Sequence, residues 1–352
     1  VSSRASLRRD SLASRSRWTI AALLACALAL AAVPVVRTSP AATPSRAIAL
    51  RAEPIRAFDV RDPARRQFGL LEFRGGLVLR SSDTSFGGIS AIRVAPDGAD
   101  FIALSDKGSW FRGRIVYEGA RPSGIADAEM APILGLDGRP LAARGWYDTE
   151  SIAEDGGTLY VGIERVHQIV RFNYGKDGLS ARGRPIAVPP ELRALPANKG
   201  LEAMVFVPKG LPLAGTLIAV SEHGLDTAGN ASAFLIGGRN PGSFAVKRSS
   251  NYDVSDAALL PGGGVLLLER KFSWSSGLGV RIRRIALAEI MPGALVDGPV
   301  LFEADLGYEI DNMEGLSVHR AAGGELVLTL VSDDNFSPLQ RTMLLQFILP
   351  EP

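Results

Sequence analysis

A fivefold internal repeat constrains this chain more than any other feature. Five segments share one form: a small or acidic start, a short apolar run, a turn, a second apolar run and a polar cluster. They read GGISAIRVAPDGADFIALSDKG from Gly87, YDTESIAEDGGTLYVGIER from Tyr147, KGLEAMVFVPKGLPLAGTLIAVSEHG from Lys199, YDVSDAALLPGGGVLLLERK from Tyr252 and DNMEGLSVHRAAGGELVLTLVSDD from Asp311. The turns carry PDG, EDGG, PKG, PGGG and AAGG, which are hairpin signals. Aligning Ser90, Glu150, Glu202, Asp256 and Glu314 gives spacings of 60, 52, 54 and 58 residues. That period is too long for a helical solenoid and suits a blade of four strands with generous loops.

Third strands follow in GRIVYEG, HQIVRFNY, SAFLIGG, VRIRRIAL and MLLQFIL. The last unit stops there, while FGLLEFRGGLVL, from Phe68 to Leu79, precedes the first unit as a free strand pair. Ring closure uses both leftovers and removes two open sheet edges. The expected fold is therefore all-β: a β-propeller of five or six four-stranded blades, with N-terminal strands completing the C-terminal blade. A β-sandwich with irregular loops is the rival, and it leaves the near-constant spacing without a cause.

Residues 1–46 form a separate segment, read as a signal peptide or membrane anchor plus linker. Seven arginines against Asp10 precede or flank the apolar run WTIAALLACALALAAVPVV at 18–36, and small residues follow around Ser39-Pro40-Ala41. The expectation is a periplasmic or secreted protein, with an inner-membrane anchor at 18–36 as the alternative. Outside this segment the formal charge of +2 becomes −4, and a mildly acidic body argues against a general nucleic-acid binder, which needs a basic face. Cys26 is the one cysteine, which excludes an intrachain disulfide and a thiolate metal cluster.

In a propeller the first strand of each blade lines the axis, so the aligned Ser90, Glu150, Glu202, Asp256 and Glu314 would converge there. Four carboxylates in one funnel need water, protons or a cation. Glu150, Glu202, Asp256 and Glu314 are the candidate metal ligands, and an all-oxygen set selects Ca²⁺ ahead of Mg²⁺. The alternative is that these acids simply cap neighbouring backbone N–H groups.

A second set ends the second strands: Asp106-Lys107, Glu164-Arg165, Glu222-His223, Glu269-Arg270-Lys271 and Asp333-Asp334. Acids beside bases at one recurring position supply proton carriers and anion contacts. Glu222, His223, Asp106 and Asp333 are the candidate catalytic groups. Lys107, Arg112, Arg165, Arg270, Lys271 and Arg341 are the candidate substrate contacts. Charged residues that merely solvate loops are the alternative for any one of them. His167 and His319 read as structural. No G-x-S-x-G, HExxH or GxxxxGK[ST] motif occurs, so the familiar serine hydrolase, zincin and P-loop readings have no support.

The stretches NKGLEAMVFVP, YDTESIA, LERKFSWSSGLGVRIRRI and DNMEGLSVHR with LVSDDNFSPLQRTMLLQF resemble the bacterial secreted family named for esterase-like activity of phytase. The resemblance spans residues 55 to 350, the expected phytase-like propeller domain. It implies a β-propeller, a secretory leader and hydrolysis of phosphate or carboxylic esters. Propeller phytases of known activity bind several calcium ions and hold inositol phosphate on a basic tray, whereas lysine is sparse here. The expected function is a divalent-metal-assisted ester hydrolase acting on a small anionic molecule, as a monomer. The alternatives are a non-catalytic binding propeller at the cell envelope and a sugar-lactone hydrolase.

Overall fold

The computed structural model describes residues 45–197, 199–273 and 277–350. The expected leader and anchor fall almost wholly outside these residues. Among the described residues no helix is long and apolar enough to cross a membrane.

The strands pair into five sheets. Each has at its inner edge a short, largely buried strand: Ile89–Val94, Thr149–Asp155, Leu201–Phe206, Asp253–Leu259 and Met313–Arg320. These five touch one another in chain order and the last touches the first, which makes them the inner wall of a five-bladed propeller. The second strands are Asp100–Ser105, Thr158–Ile163, Thr216–Leu225, Gly264–Ser273 and Leu326–Ser332, each antiparallel to the first through the turns read from the sequence. Five blades, not six, therefore use all five repeats.

Ring closure takes the expected form. Thr342–Leu349, the third strand of blade 5, pairs with Leu71–Arg80, and Arg51–Ile55 adds a further strand outside it. Both chain ends of the domain thus sit in one sheet. Three other outer edges are also extended: Arg46–Ala47 joins blade 1, Leu134–Gly135 joins blade 2 and Leu295–Val296 joins blade 3.

Alternating apolar residues pack between neighbouring blades. Between blades 4 and 5, Phe58 lies among Phe68, Phe73, Phe302, Tyr308 and Phe347, with ring centroids 4.8–5.8 Å away. Each phenylalanine so buried contributes about 1.5–3 kcal/mol from apolar area.

The axis itself is closed. Arg93 of blade 1 reaches Asp256 of blade 4 at 3.0 Å and donates to the carbonyls of Leu316, Met204 and Ala257. Asp256 also accepts from the backbone N–H groups of Leu316 and Ala257. This bolt separates two chambers. One is a mostly apolar cavity of 520 Å³ where the first strands end, lined by Met204, Phe206, Leu259 and Val318. The other is an acid-lined pit where the first strands begin.

Candidate functional site

The pit owes its form to one backbone device used five times. In every blade the first strand carries one residue more than its partner, at Ser90, Glu150, Glu202, Ser255 and Glu314. A bulge of this kind re-aims the extra side chain. The residues facing the bulges on the second strands are followed by Asp106, Glu164, Glu222, Arg270 and Asp333. Two rings of five side chains result: an inner one on the bulges and an outer one just above them.

Bridges between blades fix this arrangement. Ser90 Oγ donates to the carbonyl of Thr149, Ser151 Oγ to Leu201 and Ser255 Oγ to Met313, so each ties its blade to the next beside the bulge. Backbone N–H groups of Asp106, Glu164, Glu222 and Asp333 donate to Gly88, Asp148, Gly200 and Asn312. Gly88 has φ +61, and a Cβ there would lie 2.3 Å from Asp106 Oδ1, so glycine is required. Asp148, a non-glycine residue at φ 65, is held in the same left-handed region.

The alignment that placed Asp256 in the ring is one residue out. Ser255 is the bulge residue, and Asp256 turns instead to the axial bolt with Arg93. The Tyr-Asp pairs at Tyr147-Asp148 and Tyr252-Asp253 carried the right register, since they match Glu150 to Ser255. Matching by charge overrode them.

Seven ring carboxyls surround the pit, with Asp148 beside them. Glu150, Glu202 and Glu314 are 8%, 5% and 6% exposed. Burial, then Glu314 and Asp148, pushes Glu150 well above the usual carboxylate range. Burial, then Glu150 and Glu222, does the same to Glu202. Glu314 is pushed up to about 8 by burial, against the pull of Arg270. Asp106 is pushed up to about 7 by burial and by Asp333. Burial also raises Asp148, Glu164 and Asp333. Glu164 lies beside Glu202, and Asp333 beside Glu314, carboxyl next to carboxyl. Such pairs share a proton.

Arg270 stands among them, its Nη2 3.1 Å from Glu222 and 3.2 Å from Glu314. Its Nη1 donates to Asn312 Oδ1 at 3.1 Å, and Asn312 Nδ2 donates to Glu314 at 2.7 Å. Next to Arg270, and sharing Glu222 with it, carboxylate oxygens of Glu164, Glu202 and Glu222 all lie within 4.8 Å of one another. Three hard oxygen donors at that separation, with protons held where a counter-charge is missing, fit a divalent cation of the Ca²⁺ or Mg²⁺ kind. Of the four expected ligands, Glu202 belongs to this triad, Glu150 and Glu314 adjoin it across the inner ring, and Asp256 does not.

The other candidates divide. Lys107, Arg165 and Lys271 follow outer-ring residues onto the rim and lie over aromatic rings: Lys107 over Phe336, Arg165 over Tyr147 at 4.5 Å and Lys271 over Tyr252 at 4.4 Å. Arg341 is committed to Glu309 at 2.7 Å and Asp311 at 3.4 Å. Arg112 sits in mid-strand on blade 1 with Glu129 at 2.9 Å, beside a 390 Å³ groove, and is not brought to the pit. His223 Nδ1 meets Asp253 Oδ1 at 3.0 Å, and Arg248 Nε reaches the same oxygen at 2.6 Å. A carboxylate at Nδ1 favours the tautomer with a proton there and a lone pair on Nε2. Asp253, Asn312 and Arg93 were not read as functional from the sequence, because each acts only through a contact from another blade.

No curated protein matches the chain. Similar solved structures include a chain of the nidogen/laminin complex, at 12% identity over 76% of this chain and 86% of that one, with a TM-score of 0.39. The PQQ-bound aldose sugar dehydrogenase from Streptomyces coelicolor shares 13% identity over 78% and 97%, with a TM-score of 0.38. Glutaminyl cyclase from Myxococcus xanthus shares 11% over 74% and 97%, with a TM-score of 0.36. The strand pairing, not these likenesses, establishes the propeller. Residues 84–336, well over half of the chain, match the family described as phytase-like, esterase-like activity of phytase, and the chain belongs to that family.

Proposed function

We propose that this propeller is an ester hydrolase acting outside the cytoplasm on a phosphorylated or otherwise anionic small molecule, assisted by a divalent cation at the acid pit. The observation that carries the reading is the convergence of Glu164, Glu202 and Glu222 within 4.8 Å beside proton-holding carboxyls. These three residues would hold the cation, with Ca²⁺ favoured by the oxygen-only donors. When bound, it would polarise the ester and acidify a water.

The chain's own residues do the rest. Lys107, Arg165 and Lys271 on the rim steady the anion. His223, oriented by Asp253, accepts the proton of the attacking water at Nε2. Asp106 and Glu314, whose carboxyls burial raises toward neutral pH, are the groups able to return a proton to the leaving oxygen. Asp333, beside Glu314, tunes the site from one step away, while Glu222 belongs to the triad and also meets Arg270 at 3.1 Å.

Turnover of phosphomonoester, acyl-ester and lactone panels by the purified chain, in calcium and in chelator, tests the reading. Calcium-dependent hydrolysis of one class is expected, and equal inactivity in every condition overturns it. A non-catalytic binding propeller is the second reading, favoured by the ion pairs that already tie Arg270 to Glu222 and Glu314. A calcium-dependent rise in melting temperature without turnover of any panel supports it.

A further inference from the structure

Blade 4 breaks the pattern of the pit at both rings. Of the ten ring positions, seven are acids and two are serines, and the remaining one is Arg270. Blade 4 does carry acids close by, but each is spent elsewhere. Asp253 takes Arg248 and His223, Asp256 takes Arg93, and Glu269 lies between Arg281 at 2.7 Å and Arg283. Arg270 alone faces the pit, and its partners come from other blades: Glu222 from blade 3, and Asn312 and Glu314 from blade 5.

That placement has an electrostatic consequence. A guanidinium is charged at every accessible pH and cannot leave, whereas a bound ion exchanges with solvent. It fills the blade 4 side by bridging the two acids that flank that blade, Glu222 and Glu314, and Glu222 is shared with the triad. Asn312 fixes it further by accepting from Arg270 while donating to Glu314, so one amide sets the distance between them. A second divalent cation on that side would meet a fixed positive charge in a low-dielectric pit.

We propose that Arg270 is a specificity-determining residue of the pit, a built-in cation that fills the blade 4 side and limits the acid rings to a single divalent cation on the Glu164–Glu202–Glu222 side. The inference rests on the cation-assisted reading above. It states that stoichiometry, not merely affinity, is written into this arginine. Arg270→Gln frees Glu222 and Glu314 from their fixed partner and opens a second position, while Arg270→Lys keeps a positive charge there and keeps the stoichiometry.

Calorimetric titration of chelator-stripped full-length protein with CaCl₂ tests this. One ion is expected for the wild type and for Arg270→Lys, and two for Arg270→Gln. Two ions on the wild type, or one on Arg270→Gln at the wild-type affinity, overturns the inference and leaves the cation-assisted reading standing. No ion on the wild type but one on Arg270→Gln keeps the guanidinium as the site's own cation and sinks the cation-assisted reading. Binding by neither removes both. Melts in chelator and in calcium cover a poorly folding variant, because two ions must raise the midpoint of Arg270→Gln more than that of the wild type. An equal or smaller shift overturns the inference.

Discussion

Arg93 and Asp256 meet across the propeller axis at 3.0 Å, one from blade 1 and the other from blade 4, with side chains 12% and 0% exposed. The pair spans the channel and, through the Leu316 and Met204 carbonyls, gathers four of the five blades at one guanidinium. Burial pushes the Asp256 carboxyl up, and Arg93 with two backbone N–H groups pulls against it.

Breaking a buried pair on one side leaves an uncompensated charge, which costs about 3–5 kcal/mol. Asp256→Asn should therefore destabilise by about that much, since Arg93 cannot shed its proton. Arg93→Met should cost less in acid than at neutral pH, because Asp256 can take up a proton and go neutral. A double substitution to apolar residues should cost much less than the two singles combined. Urea unfolding of the four proteins at two pH values measures all three, and strictly additive losses would show that the pair is not coupled.

The acid pit predicts an unusual pH profile. Glu314 and Asp106 have folded values near 8 and 7, above the unfolded 4.5 and 3.8, so the folded chain binds more protons than the unfolded one between those limits. Stability from these groups is complete below the unfolded values and is lost as pH rises through the folded ones. His319 works the other way: burial lowers it to about 4 from 6.5, so its contribution grows with pH and is complete above 6.5. From pH 6.5 upward the contribution of His319 is complete, and the melting temperature of chelated protein should fall as pH rises through 7 and 8. Calcium should flatten that fall by supplying the missing counter-charge. A chelated protein equally stable across this range would contradict the buried-acid description.

Glu202 should show a trade between stability and function. Its neutral isostere Glu202→Gln removes a buried carboxylate that metal-free protein can only keep protonated. The variant should melt higher than the wild type in chelator above neutral pH, yet bind calcium at least about 10- to 100-fold more weakly and lose hydrolysis in proportion. Calorimetry and melts on the same samples decide it. Lower stability in chelator would mean that Glu202 serves chiefly as a hydrogen-bonding residue of the fold.

The fold was legible because a blade repeats, and hairpin turns such as PDG and PGGG mark its period without any tertiary information. The leftover strands, Phe68–Leu79 before the first unit and the missing fourth strand after the last, dictated ring closure. Outer strands were less visible: Arg121–Pro132, with its polar and small residues, carries little alternation, and Leu295–Val296 joins a blade other than its sequence neighbour's. In the pit, recurrence found Glu150, Glu202 and Glu314 but misplaced Asp256. A bulge shifts register by one residue, and matching by charge selects Asp256 although the Tyr147-Asp148 and Tyr252-Asp253 pairs point to Ser255. Arg270 was readable as a cation but not as the partner of acids from blades 3 and 5, which is a property of the closed ring.

Ring closure makes a prediction of its own at Gly76. This residue lies in Leu71–Arg80 opposite Leu345 on one side and Ile55 on the other, at the seam where the two chain ends of the domain pair. A Cβ built there would stand 2.7 Å from Leu345 Cδ2 and 2.9 Å from the backbone oxygen of Leu344. The side chain can turn aside, but the carbonyl can move only by parting the strands. Gly76→Val should therefore destabilise by about 1–3 kcal/mol or more, as overpacking does, and should speed unfolding by opening blade 5 first. Gly124, on an outer strand of blade 1, meets only Val116 Cβ at 3.9 Å, and Gly124→Ala should stay within about 0.5 kcal/mol of the wild type. Hydrogen exchange on Thr342–Leu349 locates the effect: faster exchange there, with blades 2 and 3 unchanged, marks the seam as the weakest joint of the ring. Uniform acceleration across all blades would instead mean that the propeller opens as one cooperative unit.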